Sequence, residues 1–213
     1  MHAFYLHGFA SSGQSKKGVF FAERLRAHGV DLHCPDFNEP DFSSLTMTRM
    51  LAQLAADIAA TAPGPVALIG SSLGAVVAIH TAARMPGRVN RLILLAPAVT
   101  FPRDAGKVIG ADRFSRWSAT GTLEVFHFAA GEMLELKYGF YEDGLQYDVA
   151  DVHADQPTLI FQGRRDESVD YRDVERYAAA RPRAALTLLD DDHHLMSSLP
   201  RIWSDMVDFL ELA

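Results

Sequence analysis

Six short apolar runs limit most strongly what this chain can fold into. They are "AFYL" (3–6), "VDLHC" (30–34), "PVALIG" (65–70), "RLILLAP" (91–97), "TLIFQG" (158–163) and "ALTLLD" (185–190). Most are nearly continuous Val, Ile, Leu and Phe rather than alternating with polar residues. A strand reads this way when both of its faces are covered, which is the condition of a parallel sheet with helices on each side. Helical patterns fill the spaces between the runs. They fall at 16–28, at 45–61 with Met50, Leu51, Leu54 and Ile58 in three- and four-residue steps, at 72–85, at 170–181 and at 199–212. The 72–85 stretch is small and apolar all round, as befits a helix pressed onto a sheet. Strand and helix in strict alternation predict one doubly wound α/β domain, residues 1–213, on a mostly parallel six-stranded sheet. One segment breaks the rhythm. Residues 98–156 are mixed and rich in scattered aromatics, and a structureless loop of that length is unusual. They are expected to form a small helical cap inserted between two strands.

Composition removes several classes of function. The chain carries 20 Lys and Arg against 27 Asp and Glu, a formal net charge of −7. Nucleic-acid binding needs a concentrated basic face, and the pairs Lys16-Lys17 and Arg164-Arg165 read only as solvated surface. No apolar run reaches the roughly 18 residues of a membrane span, and "MHAFYLHGF" lacks the basic and apolar regions of a signal peptide. Cys34 is the only cysteine. A disulfide-stapled fold is therefore excluded, and a reducing cytoplasm is the expected compartment.

Ligands in open parallel sheets bind at the carboxyl ends of the strands, so the loops after the strands should hold the chemistry. After the third run, Gly70, Ser72 and Gly74 make G-x-S-x-G at a strand-to-helix turn. A serine there projects its hydroxyl from the sheet, and its neighbours two residues away must be small because the two backbones nearly touch. Ser72 is the candidate nucleophile, with Ser71 at the variable position. The N–H of Leu73 and the N–H of Phe9, after His7-Gly8 in "YLHGFASS", could converge as an oxyanion hole. His7 itself reads as a residue that ties its loop together. After the fifth run, Asp166 in "QGRRDESVD" could orient an imidazole, while Asp170 takes the helix N-cap. After the sixth, "LLDDDHHLMSS" supplies His193 or His194. Serine, acid, histidine is one of the known chain orders of a catalytic triad. A metal site fits this cluster less well. Adjacent residues of an extended loop point opposite ways, and no H-x-x-x-H or C-x-x-C accompanies them, so the aspartates read as mostly solvated.

The motifs "YLHGFASS…SKK", "IGSSLGA", "LLAPA", "QGRRDESVD" and "DDDHHL" together resemble the small bacterial α/β-hydrolase esterases, short intracellular serine hydrolases. The resemblance spans nearly the whole chain and is weakest over 98–156. It implies a minimal α/β-hydrolase fold that lacks the first two antiparallel strands of larger members. It also implies a triad of Ser72, Asp166 and His193, an oxyanion hole of Phe9 and Leu73, and no cofactor or metal. The implied substrate is a small ester or thioester, with no nucleic acid and no membrane span. The D-x-H-x-L spacing of Asp191, His193 and Leu195 favours His193. In an extended stretch, too, His193 shares its side with apolar Leu195. Two alternatives stay open: another reaction on the same triad, such as C–C hydrolysis, a lyase, a peptidase or a perhydrolase, and a non-catalytic binding protein. Of the cap aromatics Phe101, Phe114, Trp117, Phe126, Phe128, Phe140 and Tyr141, most are expected in the core rather than lining a pocket.

Overall fold

A computed structural model describes residues 1–212. Its main sheet has six strands: β1 (His2–Leu6), β2 (Leu32–His33), β3 (Val66–Ser71), β4 (Val89–Leu95), β7 (Thr158–Gly163) and β8 (Ala184–Leu189). They run in the order β2-β1-β3-β4-β7-β8, every neighbouring pair parallel. All six apolar runs are strands of this sheet, although 30–34 pairs only at Leu32 and His33. Central β3 is buried along its whole length. Edge strand β8 is only partly buried, with no fully buried residue.

Two apolar layers cover the sheet. On one face α1 (Lys16–Ala27) and α8 (Leu199–Leu210) bring Phe21, Leu25, Ile202, Met206 and Leu210 against Tyr5, Ile69, Ile93 and Phe161. On the other lie α2 (Met47–Ala60), α3 (Leu73–Arg84) and α7 (Tyr171–Ala179), with Leu54, Ile58, Val76, Val77 and Val174 against Leu68, Leu92, Leu94 and Ile160. Alternate residues of one strand thus serve opposite layers, which is why the strands carry no polar alternation. Helix α3 is buried from Leu73 through Ala82, as its all-round apolar character requires. The order β2-β1-β3 makes β1 and β3 adjacent while their helices leave to opposite faces. A crevice opens at their carboxyl ends.

The segment between β4 and β7 differs from a purely helical insertion. It holds three short helices, α4 (Ala105–Ile109), α5 (Ala111–Thr120) and α6 (Gly139–Gly144), and also an antiparallel hairpin, β5 (Thr122–His127) with β6 (Glu132–Lys137). The hairpin has its own sequence logic. In β5, Leu123, Val125 and His127 turn inward while Thr122, Glu124 and Phe126 face out, an alternation with period two. Gly121 and Gly131, both at positive φ, supply the turns before and between the strands. The Trp117 indole N–H donates to the Leu136 carbonyl at 3.1 Å and ties α5 to the hairpin. Trp117 and Phe140 join the core, while Phe126 and Phe128 are exposed.

Candidate active site

The register of the sheet brings the chemistry together. Leu6 pairs with Gly70 and Ser71 with Leu95, so the loops after β1 and β3 leave the sheet side by side. Ser72 sits between β3 and α3 at φ 53°, ψ −114°. A non-glycine residue there is strained and must be held by its surroundings. Here Ser72 N–H donates to the Leu95 carbonyl at 2.9 Å, and the Ser72 carbonyl accepts from Ala75 and Ala98.

The two motif glycines are required by contact. A Cβ on Gly70 would lie 2.5 Å from the Gly74 carbonyl oxygen and 2.6 Å from Ala75 Cα. One on Gly74 would collide with the Leu6 carbonyl. Both obstacles are backbone and cannot swing aside. Gly74→Ala should therefore cost about 3 kcal/mol or more, the upper end for overpacking. Chemical denaturation would measure this, and an unchanged midpoint would contradict the close approach. Gly8 completes the crowding: a Cβ there would stand 3.3 Å from Ser72 Cβ.

Ser72 Oγ lies 3.1 Å from His193 Nε2, and His193 Nδ1 lies 2.7 Å from Asp166 Oδ2. A carboxylate only accepts, so Nδ1 carries the proton and Nε2 is free to accept from the serine hydroxyl. Asp166 is fully buried at its side chain. Its other oxygen accepts from the Ser168 and Val169 N–H groups at 2.8 and 2.9 Å. Burial pushes its pKa up, but the hydrogen bond and charge of His193, the Val169 N–H and the Gln162 amide outweigh it, and the net shift is downward. Asp166 thus stays ionised and aimed at the ring. As read from the sequence, Asp170 caps α7, accepting from Arg172 N–H at 2.9 Å.

The histidine loop corrects one argument. His193 meets Asp166 and Ser72, while His194 is exposed. The stretch is not extended, however. Asp192 to Leu195 forms a turn, closed by Leu195 N–H on the Asp192 carbonyl, and Leu195 takes φ 56°. Leu195 is buried, but by the turn rather than by alternation with His193. The aspartates are mostly solvated, Asp190 and Asp192 being exposed, but Asp191 is not. Asp191 is 5% exposed and accepts from the Ser197 hydroxyl at 2.7 Å and the Ser198 N–H at 2.9 Å. It anchors the loop to the start of α8.

Two supporting residues and one half-buried lysine escaped the sequence reading. Gln162, buried in β7, donates from Nε2 to Asp166 Oδ2 at 2.9 Å; the signal was a polar residue in an apolar strand. Asp191 is the second. Lys17, read as solvated, is half-buried beside the site. Burial lowers its pKa to about 8 against the pull of Asp166, Asp192 and Asp191. A base whose folded pKa falls below its ordinary 10.5 contributes full stability only above that value and loses it as pH drops through about 8. Lys17→Met should therefore raise the melting temperature at pH 7 by a few degrees, roughly the effect of 1 kcal/mol. The gain should shrink as pH rises from 8 towards 10.5. Equal gains at both ends of a melting series would refute this.

His7 ties its loop. Its Nε2 accepts the Phe37 N–H at 3.0 Å, so the proton sits on Nδ1, which donates to the Gly8 carbonyl at 2.9 Å. The Gly8–Phe9 peptide is trans. Its carbonyl and the Phe9 N–H therefore point opposite ways, and fixing one fixes the other. Neither Phe9 N–H nor Leu73 N–H has an acceptor among the described residues. Among those residues, no three His, Cys, Asp or Glu side chains gather as a metal site, and no helix is long and apolar enough to cross a membrane.

Comparison with known proteins agrees with this architecture. The family described as "Uncharacterised protein family (UPF0227)" matches residues 2–211, and the chain belongs to it. No curated protein matches. Among solved structures, a protein of Agrobacterium vitis S4 superposes with TM-score 0.84 at 21% identity, over 96% of this chain and 86% of that one. Mouse alpha/beta hydrolase domain-containing protein 10 gives 0.80 at 19% identity over 98% and 90%. Est1E from Butyrivibrio proteoclasticus with ferulic acid bound gives 0.80 at 20% over 97% and 88%. The fold is that of the α/β hydrolases, in a six-stranded form.

Proposed function

We propose that the protein is a serine hydrolase that cleaves small carboxylic esters or thioesters through an acyl-enzyme on Ser72. The carrying observation is the continuous line from Asp166 Oδ2 through His193 to Ser72 Oγ, at 2.7 and 3.1 Å, with the serine on a strained turn. His193 Nε2 takes the Ser72 proton as Oγ attacks the substrate carbonyl carbon. The Phe9 and Leu73 N–H groups receive the oxyanion. The tetrahedral adduct collapses, the leaving group departs with the proton from His193, and Ser72 is left acylated. A water activated by the same imidazole then adds to the acyl carbon and frees the acid and the serine. Asp166 holds the ring and stabilises the imidazolium.

Residues 98–156 act in this reading as a cap. Their Phe140 stacks on Phe9 with ring centroids 5.5 Å apart and meets Phe101 at 5.4 Å, which places apolar surface beside the proposed oxyanion hole for an acyl chain. The Pyrococcus furiosus esterase Pf2001, similar in fold, carries an esterase name consistent with this chemistry. Cys34 is free, which suits a reducing cytoplasm. The test is covalent. A fluorophosphonate probe should label the folded protein, and peptide mapping should place the adduct on Ser72. Esters and thioesters of graded chain length would then rank the substrates. A folded protein that resists the probe would remove the serine-hydrolase reading, and labelling without turnover of either series would favour another reaction on the same triad.

A further inference from the structure

The loop that presents Phe9 is held partly from outside the central sheet. Ala10 is buried at φ 53°, a conformation that persists in a non-glycine residue only where neighbours impose it. Three carbonyls around it are gripped in turn. His7 Nδ1–H holds that of Gly8. The Phe128 N–H donates to that of Ala10 at 2.9 Å. Asn38 Nδ2 donates to that of Ser11 at 2.8 Å. Phe128 directly follows β5, so the second grip comes from the hairpin.

The third grip comes from the hairpin one step removed. His127 Nδ1 accepts the Ala130 N–H at 3.1 Å, so the ring proton lies on Nε2, which donates to Asn38 Oδ1 at 3.0 Å. Burial lowers the pKa of His127, with nearby His7 adding to the shift and Asp36 opposing it, so the neutral donor form prevails. The Asn38 amide is fixed further by Asp36 Oδ1, 2.6 Å from Nδ2. The His127 ring also stands edge-on to Phe42, centroids 4.7 Å apart, and Phe42 packs on Phe9 at 5.6 Å.

Among the described residues the Ser72 hydroxyl is hydrogen-bonded to His193 and to none of these side chains. Their common effect is on the backbone either side of the Phe9 N–H. An oxyanion donor is effective because it is aimed before the charge develops, and small misplacements are costly. We propose that His127 is a positioning residue for the oxyanion hole. Through the relay to Asn38 and Ser11, and with the Phe128–Ala10 bond, the inserted hairpin locks the Phe9 N–H, and hydrolysis is fast only while the hairpin is docked. The inference rests on the serine-hydrolase reading above.

The experiment compares wild type with His127→Ala, His127→Gln, Asn38→Ala and the double alanine variant on p-nitrophenyl acetate. It adds inhibition by an alkyl trifluoromethyl ketone, whose serine adduct carries an oxyanion. Each alanine variant should lose kcat by about 10- to 100-fold, less than the 10²–10³ typical of deleting a donor outright. KM should stay within about twofold, and ketone binding should weaken by the same factor as kcat/KM, the signature of an interaction made in the transition state. His127→Gln, whose amide can still donate to Asn38, should recover to within about threefold of wild type, and the double variant should lose no more than the worse single one. Unchanged kcat in both single alanine variants would overturn the proposal, as would lost kcat with unaltered ketone binding. Should wild type resist fluorophosphonate labelling, the serine-hydrolase reading falls, and amide exchange at residues 9–12 judges the relay alone. Faster exchange in His127→Ala supports it and unchanged exchange overturns it.

Discussion

Ser72→Ala protein is expected to fold normally and to hydrolyse an activated ester roughly 10⁴- to 10⁶-fold more slowly, the loss seen when a triad nucleophile is removed. The fold should survive because alanine keeps the Cβ and occupies the same strained φ of 53°, held by the same bonds to Leu95, Ala75 and Ala98. Fluorophosphonate labelling should vanish with the rate. Ser71 is the matched control. It is the last residue of β3 and buried, and the imidazole meets Ser72 Oγ rather than its hydroxyl. Ser71→Ala should keep both labelling and turnover within about tenfold, as expected of a neighbour with no bond to the imidazole. Measuring kcat for both variants after circular dichroism separates the two serines. Labelling that persists in folded Ser72→Ala would show that the nucleophile lies elsewhere.

The parts of the molecule legible in the sequence are those governed by burial on two sides. A central strand such as 66–71 cannot hide its continuous apolar run, nor can a helix such as α3, packed all round, hide its small residues. G-x-S-x-G was legible for a related reason: Gly70 and Gly74 answer to backbone atoms closer than any side chain would allow. The hairpin of 122–137 was harder to see. Its strands are half-exposed, so its alternation includes Thr, Glu and His and blends with the neighbouring short helices. Polar residues whose partners lie far along the chain were least legible. Gln162, Asp191 and Lys17 each look ordinary in sequence, because what defines them is a carboxylate, a loop or burial supplied by another segment. Their roles follow from the folded geometry and from desolvation, neither of which a local pattern carries.

The choice between the two adjacent histidines gives the second large effect. His193 bridges Asp166 and Ser72, whereas His194 is exposed on the far side of the same turn, its backbone N–H bonded to Asp192 Oδ1 at 2.8 Å. What selects His193 is the turn. Asp191 fixes one end through Ser197 and Ser198, Leu195 buries the other at φ 56°, and the ring between them swings towards the sheet. On the proposed function, His193→Ala should therefore lose turnover by about the same factor as Ser72→Ala, since a triad nucleophile and its base act as a unit. The Ser72→Ala/His193→Ala double variant should then be no slower than either single one, because a broken proton relay cannot be broken twice. His194→Ala removes no bond to the site and should cost less than about tenfold. A turn held at both ends cannot exchange one ring for the other, so His194 should give no measurable rescue in the His193→Ala background. Steady-state kcat for the four variants on one activated ester decides the matter. A His194→Ala loss exceeding that of His193→Ala would move the base to the neighbouring ring and would mean that the turn closes differently in the working enzyme.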